Sequence, residues 1–289
     1  EPPPPAPTTS TVTTPPPTAP AIQPKPPTPS QRTLLRKQLW YEWKIAPDPK
    51  PKTKEIKECL SFFQKTERFM KRKKIIVDCA GGHGALGIAF KRLGRQKELK
   101  VIVGDLHCPT SFATMRAAWL PAVTDECIEH RTIDLRDRGW LLQLLAQENV
   151  DPIDCGIVGC HVCNRLSDEL IDECFNANVE FCVLGCCHGE TSKQGRATKV
   201  SAKELGISLG MLVDTARYGL IANRDGYIAK IKTIDEKITP ENRILVGLYD
   251  GSGANSQQEH TARALAKVAK VYDRVFKVDK EGKKTNRKR

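Results

Sequence analysis

Residues 74–94, KIIVDCAGGHGALGIAFKRLG, hold the pattern from which the rest of the chain is read. The run Ile75-Ile76-Val77 is continuously apolar, as a strand buried on both faces has to be. The chain then passes Asp78 and Ala80 into Gly81, Gly82 and Gly84, and continues through a helix-like segment that closes on Gly94. Glycines at a strand-to-helix turn let the backbone reverse sharply and approach a ligand, while the opening helix offers free N–H groups. The same turn serves dinucleotides, so the glycines alone do not fix the ligand.

Downstream, strand-like and helix-like segments alternate. LKVIVGDL (99–106) reads as a strand, 110–120 as helical, 128–135 as a strand and GWLLQLLAQE (139–148) as a helix. DCGIVGCHV (154–162) is a fourth strand, followed by a helix over 167–178 with Ser167 as its N-cap. VEFCVLGCC (179–187) is a fifth strand. Five such units imply a parallel sheet with helices on both faces. After a helical stretch at 199–222 come GYIAKIKTID (226–235) and ENRILVGLYD (241–250), too close for a crossover and therefore antiparallel. The expected fold is α/β and Rossmann-like, of the class I methyltransferase kind. It has a seven-stranded, mostly parallel sheet closed by a C-terminal antiparallel hairpin.

Upstream, residues 1–30 are Pro/Thr-rich and are expected to be a disordered linker. Residues 31–73 read as a basic helical extension, with one helix near 33–43 and an amphipathic one from Thr53 that presents Ile56, Leu60 and Phe63. The central domain is expected over 74–255, a last helix over 256–276 and a basic tail over 277–289. The chain begins at Glu1 without a Met, which suggests a processed product.

The net charge of +12 is uneven. Residues 31–74 hold 14 basic and 5 acidic residues, and 277–289 hold 7 and 2, so the flanks carry the positive field. Such arms favour a polyanion such as RNA, or docking on a large protein or ribonucleoprotein assembly. No apolar run is long enough for membrane insertion. The eleven cysteines are not spaced as a secreted disulfide framework. An intracellular reducing compartment (cytoplasm, nucleus or organelle matrix) is therefore expected.

S-adenosylmethionine (SAM) suits this loop better than a dinucleotide, because Asp78 would repel a pyrophosphate and can accept from an amino group. Asp105 ends the second strand, where ribose hydroxyls would lie, and Asp134 follows the third, where it can meet the adenine amino group. The expected cofactor set is Asp78, Ala80, Gly82, Gly84, Asp105, Asp134 and Cys160. Simple helix capping by Asp105 and Asp134 is the plainer alternative.

The fourth and fifth strands end in Cys160-His161-Val162-Cys163 and Cys186-Cys187-His188. A zinc site, a catalytic set and tight structural packing are all compatible with these residues. Adjacent Cys186 and Cys187 point to opposite faces of a strand, which argues against a shared metal, and none is expected.

These two segments resemble the paired motifs H-x-C-G-D/A-x-S/T-D and P-C-C-H/Y. The family that carries them includes the tRNA acceptor-stem 2′-O-methyltransferases and related methyltransferase-like proteins. Here they read His161-Val162-Cys163-Asn164-Arg165-Leu166-Ser167-Asp168 and Gly185-Cys186-Cys187-His188, and Thr239-Pro240-Glu241-Asn242-Arg243 is similar to the family's closing strand. The resemblance implies a SAM-dependent RNA methyltransferase. His161 and His188 would be base or acceptor-orienting residues, and Cys163 and Cys186 would line the pocket. The chain departs from the family pattern at Ala80, Asn164-Arg165 and Gly185. Those departures keep open a degenerate, scaffold-only methyltransferase fold in a complex, and a protein acceptor is a further alternative. A dinucleotide oxidoreductase is disfavoured by the closing hairpin.

Overall fold

The computed structural model describes residues 28–251, apart from 95, 97, 121–124, 186 and 190–192. Most of the expected linker, the C-terminal helix at 256–276, the tail at 277–289 and Cys186 lie outside the described residues.

Two helices precede the sheet, α1 (Pro29–Ile45) and α2 (Thr53–Met70). Thr28 caps the first reciprocally with Gln31: Gln31 N donates to the Thr28 hydroxyl, and Thr28 N donates to the Gln31 side chain. Then follow β1 (Ile75–Cys79), α3 (Ala85–Leu93), β2 (Lys100–Asp105), α4 (Thr110–Trp119), β3 (Ile128–Thr132), α5 (Trp140–Glu148), β4 (Cys155–Cys160), α6 (Arg165–Ala177) and β5 (Glu180–Leu184). The chain ends in α7 (Lys193–Leu205), α8 (Leu209–Ala222), β6 (Tyr227–Thr233) and β7 (Arg243–Tyr249).

The strands form one seven-stranded sheet in the order β3-β2-β1-β4-β5-β7-β6. The first five are parallel, and β7 runs antiparallel to both neighbours. This is the Rossmann-like arrangement of class I methyltransferases. The order reverses between β1 and β4, and ligands of open α/β sheets bind beyond the strand ends at such a point.

Alternate strand residues face two layers. Ile76, Val158, Cys182 and Leu184 meet α1–α4, whereas Val77, Ile157, Phe181 and Val183 meet α5, α6 and α8. The stretch read as a basic extension is packed into the first layer, with Leu39, Trp43, Ile56, Phe62, Phe63 and Met70 all buried. Most of its charges ride on its outer side, whereas Glu58 and Lys73 are buried. Trp119 Nε1 donates to Leu39 O at 3.0 Å and ties α4 to α1.

Among the described residues, the sheet has two open edges. At β3, Lys100 meets Glu129 and Glu148, and Arg131 bridges the same two acids. The outer strand β6 carries Lys230 and Lys232. Among the described residues, no single helix is long and apolar enough to cross a membrane.

Three boundaries differ from expectation. The helix α6 starts at Arg165 with Asn164 as N-cap, and Ser167 instead donates its hydroxyl to Val162 O. Strand β3 ends at Thr132, which leaves Asp134 in the following loop. Strand β5 ends at Leu184, so Cys187 and His188 lie beyond it.

Candidate cofactor and active site

The glycine loop is built from below. Asp78 is 1% exposed, and its Oδ2 accepts from Gly87 N at 2.8 Å, in the first turn of α3. Burial pushes its pKa up to about 7; the Gly87 N–H and His161 oppose the rise, and Asp105 adds to it. The residue expected to meet a ligand amino group therefore braces the loop from the interior. Gly84 caps α3 at φ +69°, and a Cβ there would fall 2.8 Å from the Phe112 ring. Ala80 also has a positive φ, +50°, a left-handed backbone that ordinarily favours glycine.

Asp105 stands at the loop's open side. Its Oδ2 accepts from Gly82 N at 3.0 Å and its Oδ1 from Leu106 N at 2.7 Å. Beside it lies a mainly apolar cavity of about 330 Å³, walled by Ala80, Leu106, Ile133, Asp134, Cys163 and Leu166. Four of the expected site residues, Ala80, Asp105, Asp134 and Cys163, thus meet at one cavity. Asp134 is already engaged: Arg136 Nε lies 2.8 Å from its Oδ1 and Nη2 2.6 Å from its Oδ2. The Arg136 guanidinium holds this carboxyl down to about 2. At the rim, Arg165 pairs with Glu169 at 2.6 Å.

The remaining residues take other places. Cys160 turns under α2 against Cys59, and contact with that thiol, then burial, raises its pKa. His161 sits at φ +79°, with Nε2 3.0 Å from the fully buried Glu58 of α2. The Glu58 carboxylate raises the pKa of His161. His188 Nε2 lies 2.8 Å from Asp214 Oδ1, away from the cavity walls, and Arg243 Nε donates to Asp214 Oδ2. The ligand atoms of His188, Asp214 and Glu241 lie within 4.8 Å of one another. Arg243 bonds both acids, which makes this cluster an ion-pair network already balanced by a cation. Cys160 and His188 thus have separate partners, Cys59 and Asp214, although hydrogen bonds join the loop after β4 to the segment after β5 at Asn164, Cys187 and Gly189.

Glu58 and Arg136 were missed by sequence reading. Arg136 lies two residues from its partner, a spacing with no preferred side-chain contact. The signal for Glu58 was an acid one turn before Phe62 on the apolar face of α2.

No family model matches the chain, and no curated protein matches it. Among solved structures, a putative O-methyltransferase from Klebsiella pneumoniae aligns at 10% identity and TM-score 0.41, over 78% of this chain and 91% of that one. The O-methyltransferase TomG from Streptomyces achromogenes, solved with SAM, aligns at 12% identity and TM-score 0.41, over 76% and 89%. A putative tRNA (m1A22) methyltransferase from Streptococcus pneumoniae aligns at 14% identity and TM-score 0.39, over 74% and 86%. The fold assignment rests on the strand order and needs none of these alignments.

Proposed function

We propose that this chain is a SAM-dependent methyltransferase that acts on RNA. The observation that carries the cofactor is the Asp105 carboxylate, fixed by two backbone N–H groups at the mouth of an apolar cavity beside the reversal in strand order. Two backbone donors leave the carboxylate lone pairs for ribose hydroxyls. Leu106, Ile133 and Leu135 offer a purine apolar walls, and the cavity volume is enough for the adenosine part of the cofactor. When bound, SAM supplies an activated methyl group. The chain's own work is to hold it, exclude water and align the acceptor.

The RNA acceptor is supported by the charge distribution. Arg68 and Lys230 flank the Phe69 ring at 4.6 and 5.8 Å. Lys232 has its pKa lowered by burial and by Arg68, Lys230 and Lys65. Crowded cations around an aromatic ring favour phosphate and base together. One observation favours the scaffold reading instead: Arg136 already closes on Asp134, the acid expected to select adenine.

Calorimetric titration of the full chain with SAM and S-adenosylhomocysteine, with Asp105→Ala as control, separates these readings. Loss of a charge-assisted pair removes about 1.5–3 kcal/mol, roughly tenfold to a hundredfold in affinity. No binding by the wild type would end the enzyme reading and leave a scaffold. Binding with methyl transfer to protein and none to RNA would replace the acceptor.

A further inference from the structure

We infer that Glu58 and His161 form a proton-accepting pair at the acceptor end of the site, with His161 taking the proton of a hydroxyl acceptor and Glu58 positioning the ring. This rests on the methyltransferase reading above.

Two features that are costly to a fold meet here. The Glu58 side chain is 0% exposed; burial works against its charged form, and His161, Lys54 and Thr239 outweigh that and hold its pKa below the ordinary carboxylate value. A buried carboxylate is expensive unless it is paired. Its closest charged partner is His161 Nε2 at 3.0 Å; Lys54, one turn earlier on α2, lies 3.7 Å away with its side chain largely in solvent. His161 in turn holds a left-handed backbone at φ +79°, which is strained for a non-glycine residue, and its N–H is pinned to Leu184 O at 3.0 Å. His161 follows the last residue of β4, two positions before Cys163 of the cavity wall, and Glu58 reaches it from α2; this is beside the strand-order reversal at which ligands of such sheets bind. A fully buried carboxylate held charged by an imidazole, and backbone strain at the same spot, fit a positioned catalytic group better than packing alone.

The geometry also separates the two ring nitrogens. Nε2 is buried against Glu58, while the side chain as a whole is 30% exposed, so the exposure lies on the rest of the ring. Nδ1 belongs to the more exposed part of the ring, which leaves it to exchange a proton. The charged and titratable groups facing the ring are Glu58 and Glu55 from α2 and Cys163 from the loop after β4, with Asp78 of β1 close enough to interact. The acids outnumber the cations at this spot, and that favours imidazolium.

A ring nitrogen or an amine brings its own lone pair, whereas a hydroxyl has to lose a proton as it attacks. The acceptor oxygen forms the new O–CH3 bond with its lone pair. The S–CH3 bond breaks with its electron pair left on sulfur, and the acceptor proton passes to Nδ1 of His161. The products are a methyl ether, S-adenosylhomocysteine and an imidazolium that faces Glu58 until the proton leaves to water. His161 is the catalytic residue in this scheme, and Glu58 is a positioning residue.

The test uses the full chain and two readouts. In the first, the His161 imidazole signals, assigned by their loss in His161→Gln, are titrated by NMR without any ligand. They are expected to titrate above the ordinary histidine range and to move down in Glu58→Gln. In the second, transfer of tritiated methyl from SAM to unmodified tRNA transcripts is followed against pH. The base works when unprotonated, so the acid limb should follow the His161 titration and shift to lower pH in Glu58→Gln. His161→Gln should cost about 10²–10⁴-fold in rate with SAM affinity unchanged. A titration that Glu58→Gln leaves in place, or an acid limb that does not move with it, overturns the pairing. Full turnover by His161→Gln overturns the base and leaves the methyltransferase reading intact. If the wild type binds no SAM, that reading falls, and the imidazole titration decides the pair by itself.

Discussion

A carboxyl buried beneath a backbone loop, as Asp78 is, ionises at the expense of the fold. Its native pKa of about 7 lies above the unfolded value of about 3.9, so between these pH values the native state holds a proton that the unfolded chain has lost. The associated stability is complete below about pH 4 and is lost as pH rises through about 7, a total on the order of a few kcal/mol. Asp78→Asn keeps an acceptor for Gly87 N and cannot ionise. Thermal unfolding from pH 5 to 8 should show the variant gaining on the wild type as pH rises, and parallel curves would assign the titration to another group. At this scale the sequence was informative where chemistry follows chain position. Asp105 and Asp134 were visible because acids that follow strands line up at one edge. Glu58 was not, because it reaches His161 from a helix about a hundred residues earlier in the chain.

The elements beside the site are joined by buried charge. Arg217 of α8 is 1% exposed; its Nε donates to Asp168 Oδ1 of α6 at 2.8 Å and its Nη2 to Asn164 O at 2.9 Å. Asn164 in turn accepts from Gly189 N at 2.7 Å, which fastens the segment after β5 to the start of α6. Replacing the buried guanidinium removes its contacts to Asp168, Asn164 and Asp214 together, so Arg217→Met should cost about 3–5 kcal/mol in urea unfolding. A loss below about 1 kcal/mol would show that water reaches Asp168. The strands themselves were legible as apolar runs. The start of α6 was not, because Ser167 has the chemistry of a cap while Asn164 occupies it through an unusual backbone, φ +54° and ψ −128°, that no residue type announces.

For the molecule as a whole, the alternation of strands and helices and the closing hairpin were enough to give the sheet. The helices of residues 31–73 and the apolar stripe of the second were legible, but the sheet face they cover was not, because a stripe does not name the surface it packs on. Leu39, Trp43, Ile56, Phe62, Phe63 and Met70 cover one face of the sheet, and without them Ile76, Val158, Cys182 and Leu184 would face water. A fragment of residues 74–251 should therefore be recovered unfolded or aggregated, whereas 28–251 should give a cooperative unfolding transition. A cooperative 74–251 fragment would mean that the first two helices are an accessory layer.

The two outer strands settle how this sheet meets other sheets. An open strand edge is a template on which a further strand can grow, from another molecule or from a misfolded copy of the same one. At β3 that template lies behind a lattice of alternating acids and bases, and at β6 it carries two lysines whose charges an incoming strand would have to bury. Each border repels the addition of an eighth strand, so a concentrated solution of this protein is guarded against edge-to-edge fibre growth by the same residues that finish its fold.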